Sequence, residues 1–475
     1  MRTINSFKFY SSDILQNLRL FIFLLLFQIV LVFTISVEFY KEAIIIFLVF
    51  LAFISFYYPM INIYLIAFIS LAIEGQWIEN FVLFRLYGFN WYLIDLSLLI
   101  VFINLLLLLK NSLEELIINK LFLSILIFII VVMFSAYTGI KNGFQFQAVF
   151  YDFRGFFYYL AFIPAIIILS TKNRIINFLY FIVFIITLKS IVDIYLSLFI
   201  YEKSFDIETR QLLGFARLTG YNEIVYSLSF ISSFFLIIFS KNIYARLLFL
   251  FTLTISLISL FLSYTRGSWV ATFFTLLIGL FFFILSEKSK INLKKIIAVI
   301  TGLLIILFIL NLIEIVNLDV ILSRIKTISI NRIDISNLGR LVEYASALEA
   351  FRANPIFGTG LGFLFVYFSP GIGPVESIYC HNSYLYVLSK MGIVGLISFL
   401  TILYFAIFPV FKIKNRLFID RFYSIAFILI LLLISISVKS FTTWHLNTNT
   451  FSPFIGILFG ISIRIRDIYL KEYGR

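Results

Sequence analysis

Cysteine is nearly absent from this chain of 475 residues, and histidine is almost as scarce. The single Cys380 excludes an intramolecular disulfide and any cysteine-based zinc site. Two histidines, His381 and His445, with no H-E-x-x-H pattern, argue against a zinc hydrolase. Charge is also sparse, with Asp, Glu, Lys and Arg together making 13% of the chain where a soluble protein has about a quarter. No internal repeat and no low-complexity linker interrupts it, so residues 1–475 read as one membrane-embedded domain. The first apolar run lacks a small-residue cleavage site, which makes the N-terminal segment a cytoplasmic lead-in rather than a removable signal.

What fills the chain instead is apolar: 62% hydrophobic and 19% aromatic residues, a composition that belongs in a bilayer. A spanning helix needs about 20 mostly apolar residues. Runs that meet this begin near Leu20, Ala43, Ile61, Trp91, Leu121, Phe156, Ile175, Ile224, Leu247, Trp269, Ile296, Met391, Phe422 and Phe451. The expected architecture is therefore all-α and polytopic, with about 14 transmembrane helices and a lower bound of about 12. Within the spans, Lys189 and Asp193 stand four apart on one helical face, where each neutralises the other, while Asp95 stands alone.

The formal charge of +13 is spread between apolar spans, not gathered on one face, so it marks membrane topology and not nucleic acid. Lysine-rich inner segments such as 288–295 and 412–421 put the N-terminus in the cytoplasm. The outer segments lean to arginine, the fork-shaped cation suited to phosphate and carboxylate. Arg154 in DFRGFF, Arg217 in RLTGYNE and Arg266 in SYTRGSW stand at or near span edges on that side, and Arg340 in GRLVEY stands in its longest loop. Each alone is equally an interfacial anchor or a partner of an outer carboxylate.

The one long stretch that is not lipid-soluble runs over about 317–382 and is expected to be the external catalytic loop. Ser336 or Asn337 can cap a helix over about 338–352, with Leu341, Ala345, Leu348 and Phe351 on one face, an amphipathic helix lying on the spans. Asn354-Pro355 ends it, and Gly358, Gly360 and Gly362 permit a close-packed turn. The pairs Pro370-Gly371 and Gly373-Pro374 supply further turns before His381. Histidine, with an ordinary pKa near 6.5, suits a general base. A lone histidine is as readily an interfacial hydrogen-bonding residue, and His445 is the weaker candidate. Asp206 and Glu208 are the nearest carboxylate pair for a divalent ion, a pattern that solvated loops also show.

Taken in order, SYTRGSWVA, GRLVEYASALEAF with NPIFGTGLGF, and HNSYLYVLSKMGIVGL resemble the core of the O-antigen ligase and O-antigen polymerase superfamily, and RLTGYNEIVYSLSF resembles its upstream arginine segment. The likeness covers about residues 217–397. It implies a metal-independent glycosyltransferase of the GT-C kind, with no cofactor, that takes a glycan from an undecaprenyl diphosphate carrier at the outer face of the bacterial plasma membrane. It further implies that Arg217, Arg266 and Arg340 hold the diphosphate, with Arg154 a weaker match, and that His381 is the base. A donor already activated by diphosphate needs only cations for the leaving group and a base for the acceptor hydroxyl, so the chemistry fits.

The expected activity is polymerisation of a surface polysaccharide, the acceptor being another lipid-linked repeat unit. Ligation to lipid A core is the alternative, with a lipid-linked glycan flippase as the rival from another class. The absence of a repeat, with the unusual charges concentrated at the outer rim, argues against a transporter. Candidate partners are the lipid-linked oligosaccharide, the acceptor glycan, the bilayer itself and a chain-length regulator or flippase; nucleic acid is not one.

Overall fold

The computed structural model describes residues 58–73, 82–86, 89–108, 119–196, 223–286, 293–312, 321–322, 335–369, 373–417 and 419–474. Polar residues start the helices where apolar runs follow them. The side chains of Asn119, Asn242, Asn382 and Asp420 each accept from a backbone N–H of the first turn, satisfying donors that lipid cannot.

The helices in chain order are α1 (Met60–Ala72), α2 (Leu93–Leu108), α3 (Lys120–Lys141), α4 (Phe146–Phe157), α5 (Phe162–Ile168), α6 (Lys172–Tyr195), α7 (Ile224–Phe239), α8 (Ile243–Leu262), α9 (Arg266–Ile284), α10 (Leu293–Leu312), α11 (Ile335–Ala353), α12 (Ser383–Ile407), α13 (Pro409–Ile413), α14 (Arg421–Lys439) and α15 (Ser452–Tyr473). Among the described residues, seven helices are long and apolar enough to cross a membrane, α4 and α5 joining as one of them. The protein is a multi-pass membrane protein. The run starts expected near Leu20 and Ala43 lie outside the described residues; the other twelve fall on or beside helices.

Two starts moved outward. The helix expected from Phe156 begins at Phe146, and the one expected from Met391 begins at Ser383. The outer part of each carries charge, Asp152 and Lys390, which hydropathy reads as loop. Those two charges pair with one another at 2.6 Å and so can stay inside. Asp95 is likewise not alone: it accepts from Tyr92 N at 2.8 Å, faces Arg154 at 3.4 Å and takes a hydrogen bond from Tyr158. Lys189 and Asp193 pair as expected, at 3.0 Å.

Helix α14 is apolar on every side and sits in the middle of the bundle. Small hydroxyl residues let its neighbours approach, since lipid gives no hydrophobic reason for helices to associate. Ser227 on α7 meets Thr272 on α9 at 2.6 Å and Ser435 on α14 at 3.1 Å; Ser256 on α8 bonds Ser229 on α7 at 2.7 Å. The helices alternate in direction, so charges sort to two ends. At one end Lys172 pairs with Asp420 and Glu472 at 2.9 and 2.7 Å. At the other lie Glu223, Arg266, Glu343, His381 and Lys439.

Two short antiparallel hairpins add to the expected all-α fold: β1 (Val82–Leu86) with β2 (Phe89–Tyr92), and β3 (Phe365–Ser369) with β4 (Gly373–Ser377). Of the two turn pairs expected there, Gly373-Pro374 instead begins β4, and Pro370-Gly371 lies outside the described residues.

Helix α11 corrects two expectations. It begins at Ile335, ahead of the proposed caps Ser336 and Asn337, which fall within its first turn. It also packs through the opposite face: Glu343, Ala347 and Ala350 are buried, whereas Leu341 is 51% exposed and Leu348 is exposed too. Periodicity finds an apolar stripe but cannot tell core from lipid, and the small side chains are those that allow close approach.

The segment after α11 threads into the bundle between α3 and α12. Gly392, at φ +64, breaks α12. In an unbroken helix the N–H groups of Ile393 and Val394 would donate to the carbonyls of Ser389 and Lys390. Here Ile393 N and Val394 N donate to Pro355 and Ile356, while Thr359 N and Gly360 N donate to Ser389 and Lys390. Lys390 lies seven residues along α12, about 10 Å from its start. The turn is therefore re-entrant, with its backbone satisfied by the helix it interrupts. Only glycine fits at Gly360, where φ is +98 and a Cβ would stand 2.4 Å from Gly139 N.

Candidate active site

The site is built on one turn of α11 and the start of α12. Arg340 and Glu343 are three residues apart on α11, and Glu343 is buried. Its carboxylate accepts the backbone N–H of His381 at 3.1 Å and lies 2.9 Å from His381 Nδ1. Tyr344, next along, donates its hydroxyl to the His381 carbonyl at 3.1 Å. A carboxylate can only accept, so Nδ1 carries the proton and Nε2 is left as the basic nitrogen. The imidazole is 38% exposed and its carboxylate partner 2%, so the ring opens outward from a dry anchor.

Around the ring stand aromatics. Trp444 meets His381 edge-on at 4.9 Å between centroids, and Tyr379 stacks on Trp444 at 4.7 Å. Tyr379 also donates its hydroxyl to Tyr151 on α4 at 2.6 Å. Cys380, adjacent to the histidine, is buried, and burial pushes its thiol up to about 12, so it is no nucleophile at neutral pH. Burial likewise raises the Tyr344 phenol to about 12.

Arg266 is the first residue of α9. The next residue, Gly267, packs where a Cβ would meet Thr442 Oγ1 at 2.3 Å and Lys439 Nζ at 3.0 Å. The segment it touches, 440–444, also binds the start of α12 through Ser383 N to Ser440 O at 2.9 Å and Ser383 Oγ to Thr443 O at 2.8 Å. Arg266 and His381 thus flank one strip of chain, with Arg340 one turn from Glu343 on the same side.

Arg217 lies outside the described residues, as do Asp206 and Glu208. The next described residue is Glu223, whose carboxylate is 3.9 Å from Lys439. Arg154 is held within the bundle: its guanidinium donates to Asn90 O at 2.9 Å, faces Asp95 and lies 4.6 Å over the Tyr92 ring. His445 is buried, and desolvation beside Lys439 lowers its pKa to about 3, which leaves it neutral and a poor base.

Sequence reasoning missed Glu343, Tyr344, Trp444, Asp152 and Lys390. Glu343 had a signal, being one turn from Arg340 and in line with Ala347 and Ala350. Trp444 had none, since only folding brings the last outer loop to His381.

Residues 251–400 match the family model described as O-antigen ligase. The matched span runs from α8 through Arg266, Arg340, Glu343 and the re-entrant turn to His381 and the first two thirds of α12. The likeness to that family thus covers the segments that carry Arg266, Arg340, Glu343 and His381, while Tyr151 and Trp444 lie outside it. No curated protein matches the chain.

Proposed function

We propose that this protein is a membrane glycosyltransferase that moves an undecaprenyl-diphosphate-linked glycan to the hydroxyl of an acceptor sugar. The observation that carries the reading is the Glu343–His381 contact inside the family-matched span. Glu343 orients the ring and leaves Nε2 as its basic nitrogen. His381 Nε2 removes the proton from the acceptor hydroxyl as that oxygen attacks the anomeric carbon. The bond from that carbon to the diphosphate breaks, and the leaving group departs as an anion. Arg266 and Arg340, joined by Arg217, supply bidentate donors to that anion, and need no metal to do so.

The site is read as facing the periplasm or cell exterior of the bacterial inner membrane, because Lys172, Lys412 and Arg421 gather at the other end, as cytoplasmic loops do. Polymerase action, with a second lipid-linked repeat unit as acceptor, is favoured over ligation. Purified protein in vesicles with lipid-linked oligosaccharide is the direct test: graded chain lengths support the polymerase, and transfer only to lipid A core turns the reading to ligase. Movement of the lipid across the bilayer without any joining of glycans would overturn both.

A further inference from the structure

Beneath the exposed ring lies a buried ion pair that the reaction does not use directly. Lys390 on α12 and Asp152 on α4 are both fully buried and 2.6 Å apart. Asp152 also accepts Gly362 N at 2.7 Å and the Tyr386 hydroxyl at 2.5 Å. Lys390 donates in addition to the Ile378 carbonyl at 2.9 Å, while its own carbonyl accepts Gly360 N at 3.0 Å and Ser135 Oγ at 2.9 Å. Tyr386 in turn accepts from Asn447 Nδ2 at 2.7 Å.

One residue therefore ties down both ends of the excursion 361–377. Its carbonyl holds the chain where it enters, at Gly360. Its ammonium holds the chain where it leaves, at Ile378, three residues before His381. Packing alone does not call for this, since apolar side chains of the same volume stabilise a buried site as well as an ion pair or better. What an apolar pair cannot do is fix the direction of a carbonyl.

We infer that Asp152 and Lys390 are positioning residues for His381, acting through Ile378 and Gly362 without touching substrate. The inference rests on the reading of His381 as the reacting base, but its main readout does not. The experiment is hydrogen–deuterium exchange by mass spectrometry on the full-length protein in nanodiscs, comparing wild type with the double variant Asp152→Asn/Lys390→Met, which leaves no lone buried charge. Tyr386→Phe, which removes only one donor to Asp152, is the milder second variant.

Residues 376–382 should exchange at least about tenfold faster in the double variant and by a smaller factor in Tyr386→Phe, while peptides of Arg421–Lys439 keep their protection. Turnover should fall at least about thirtyfold in the double variant, with donor Kd unchanged. Unaltered protection of 376–382 in either folded variant overturns the positioning role. So does loosening of every peptide alike, which would mark a purely structural pair. Activity retained by His381→Ala would refute the base, leaving the exchange result to stand on its own.

Discussion

His381 Nδ1 lies 2.9 Å from Glu343 Oε2, and the same carboxylate accepts the His381 backbone N–H. One buried acid thus sets the ring's tautomer and its place in the chain at once. That double hold is what separates this histidine from His445, which is buried beside a cation and the Phe451 ring.

His381→Ala should lower the turnover number by about 100- to 10,000-fold, the usual cost of losing a general base, with the donor still bound. Glu343→Gln is the sharper probe. Its amide group can turn its NH₂ toward Nδ1 and favour the opposite tautomer, so it should fail about as badly as Glu343→Ala despite its near-identical shape. Steady-state kinetics with a lipid-linked donor checks both; a Gln variant with wild-type turnover would remove the tautomer argument.

Arg266→Ala and Arg340→Ala should weaken donor binding as well as turnover. Lysine at either place should restore little, because a point charge cannot match a bidentate fork. Titration with an undecaprenyl diphosphate analogue measures this. Full rescue by lysine would reduce both arginines to general attraction.

The re-entrant turn predicts a graded glycine series. Gly360→Ala combines a left-handed backbone, costing about 1–3 kcal/mol, with a Cβ 2.4 Å from Gly139 N, so folded yield and melting temperature should drop steeply. Gly373→Ala has φ +102 but open space around it and should show only the smaller backbone cost. Gly302→Ala, mid-helix with nothing within 4 Å, should be neutral or slightly stabilising. Thermal melting in detergent ranks the three.

Cys380 should not react with an impermeant maleimide at pH 8, because burial pushes its thiol up to about 12 and the reactive thiolate forms only as pH approaches that value. The chain is then its own silent background for topology. Cysteine at Glu376 should label in whole cells and cysteine at Lys412 only after lysis; equal labelling would overturn the assigned orientation.

The spans were legible because apolar run length dictates helix in a bilayer, and twelve expected starts coincide with helices or their flanks. Where the reading slipped, charge was the cause. Asp152 and Lys390 looked like loop because hydropathy scores each alone, and only folding brings residues 238 apart in sequence together. The buried face of α11 was inverted because Leu341 and Leu348 signal only that a side chain avoids water. His381 and Arg340 were found by motif, whereas the hold of Glu343 on His381 was missed because its signal, one turn from Arg340 and in line with Ala347 and Ala350, marks a buried face and not the partner it meets there.

The break at Gly392 also bears on how the chain enters the membrane. Residues 355–360 leave the ribosome before 389–394, yet each stretch holds the other's missing hydrogen bonds. Until the later helix arrives, the earlier turn has only its bonds to itself and to α3, and α12 inserted alone would expose four backbone groups to lipid. The two must be released into the bilayer as one unit. The expected consequence for biogenesis is that a turn already made is completed only by a helix that follows it.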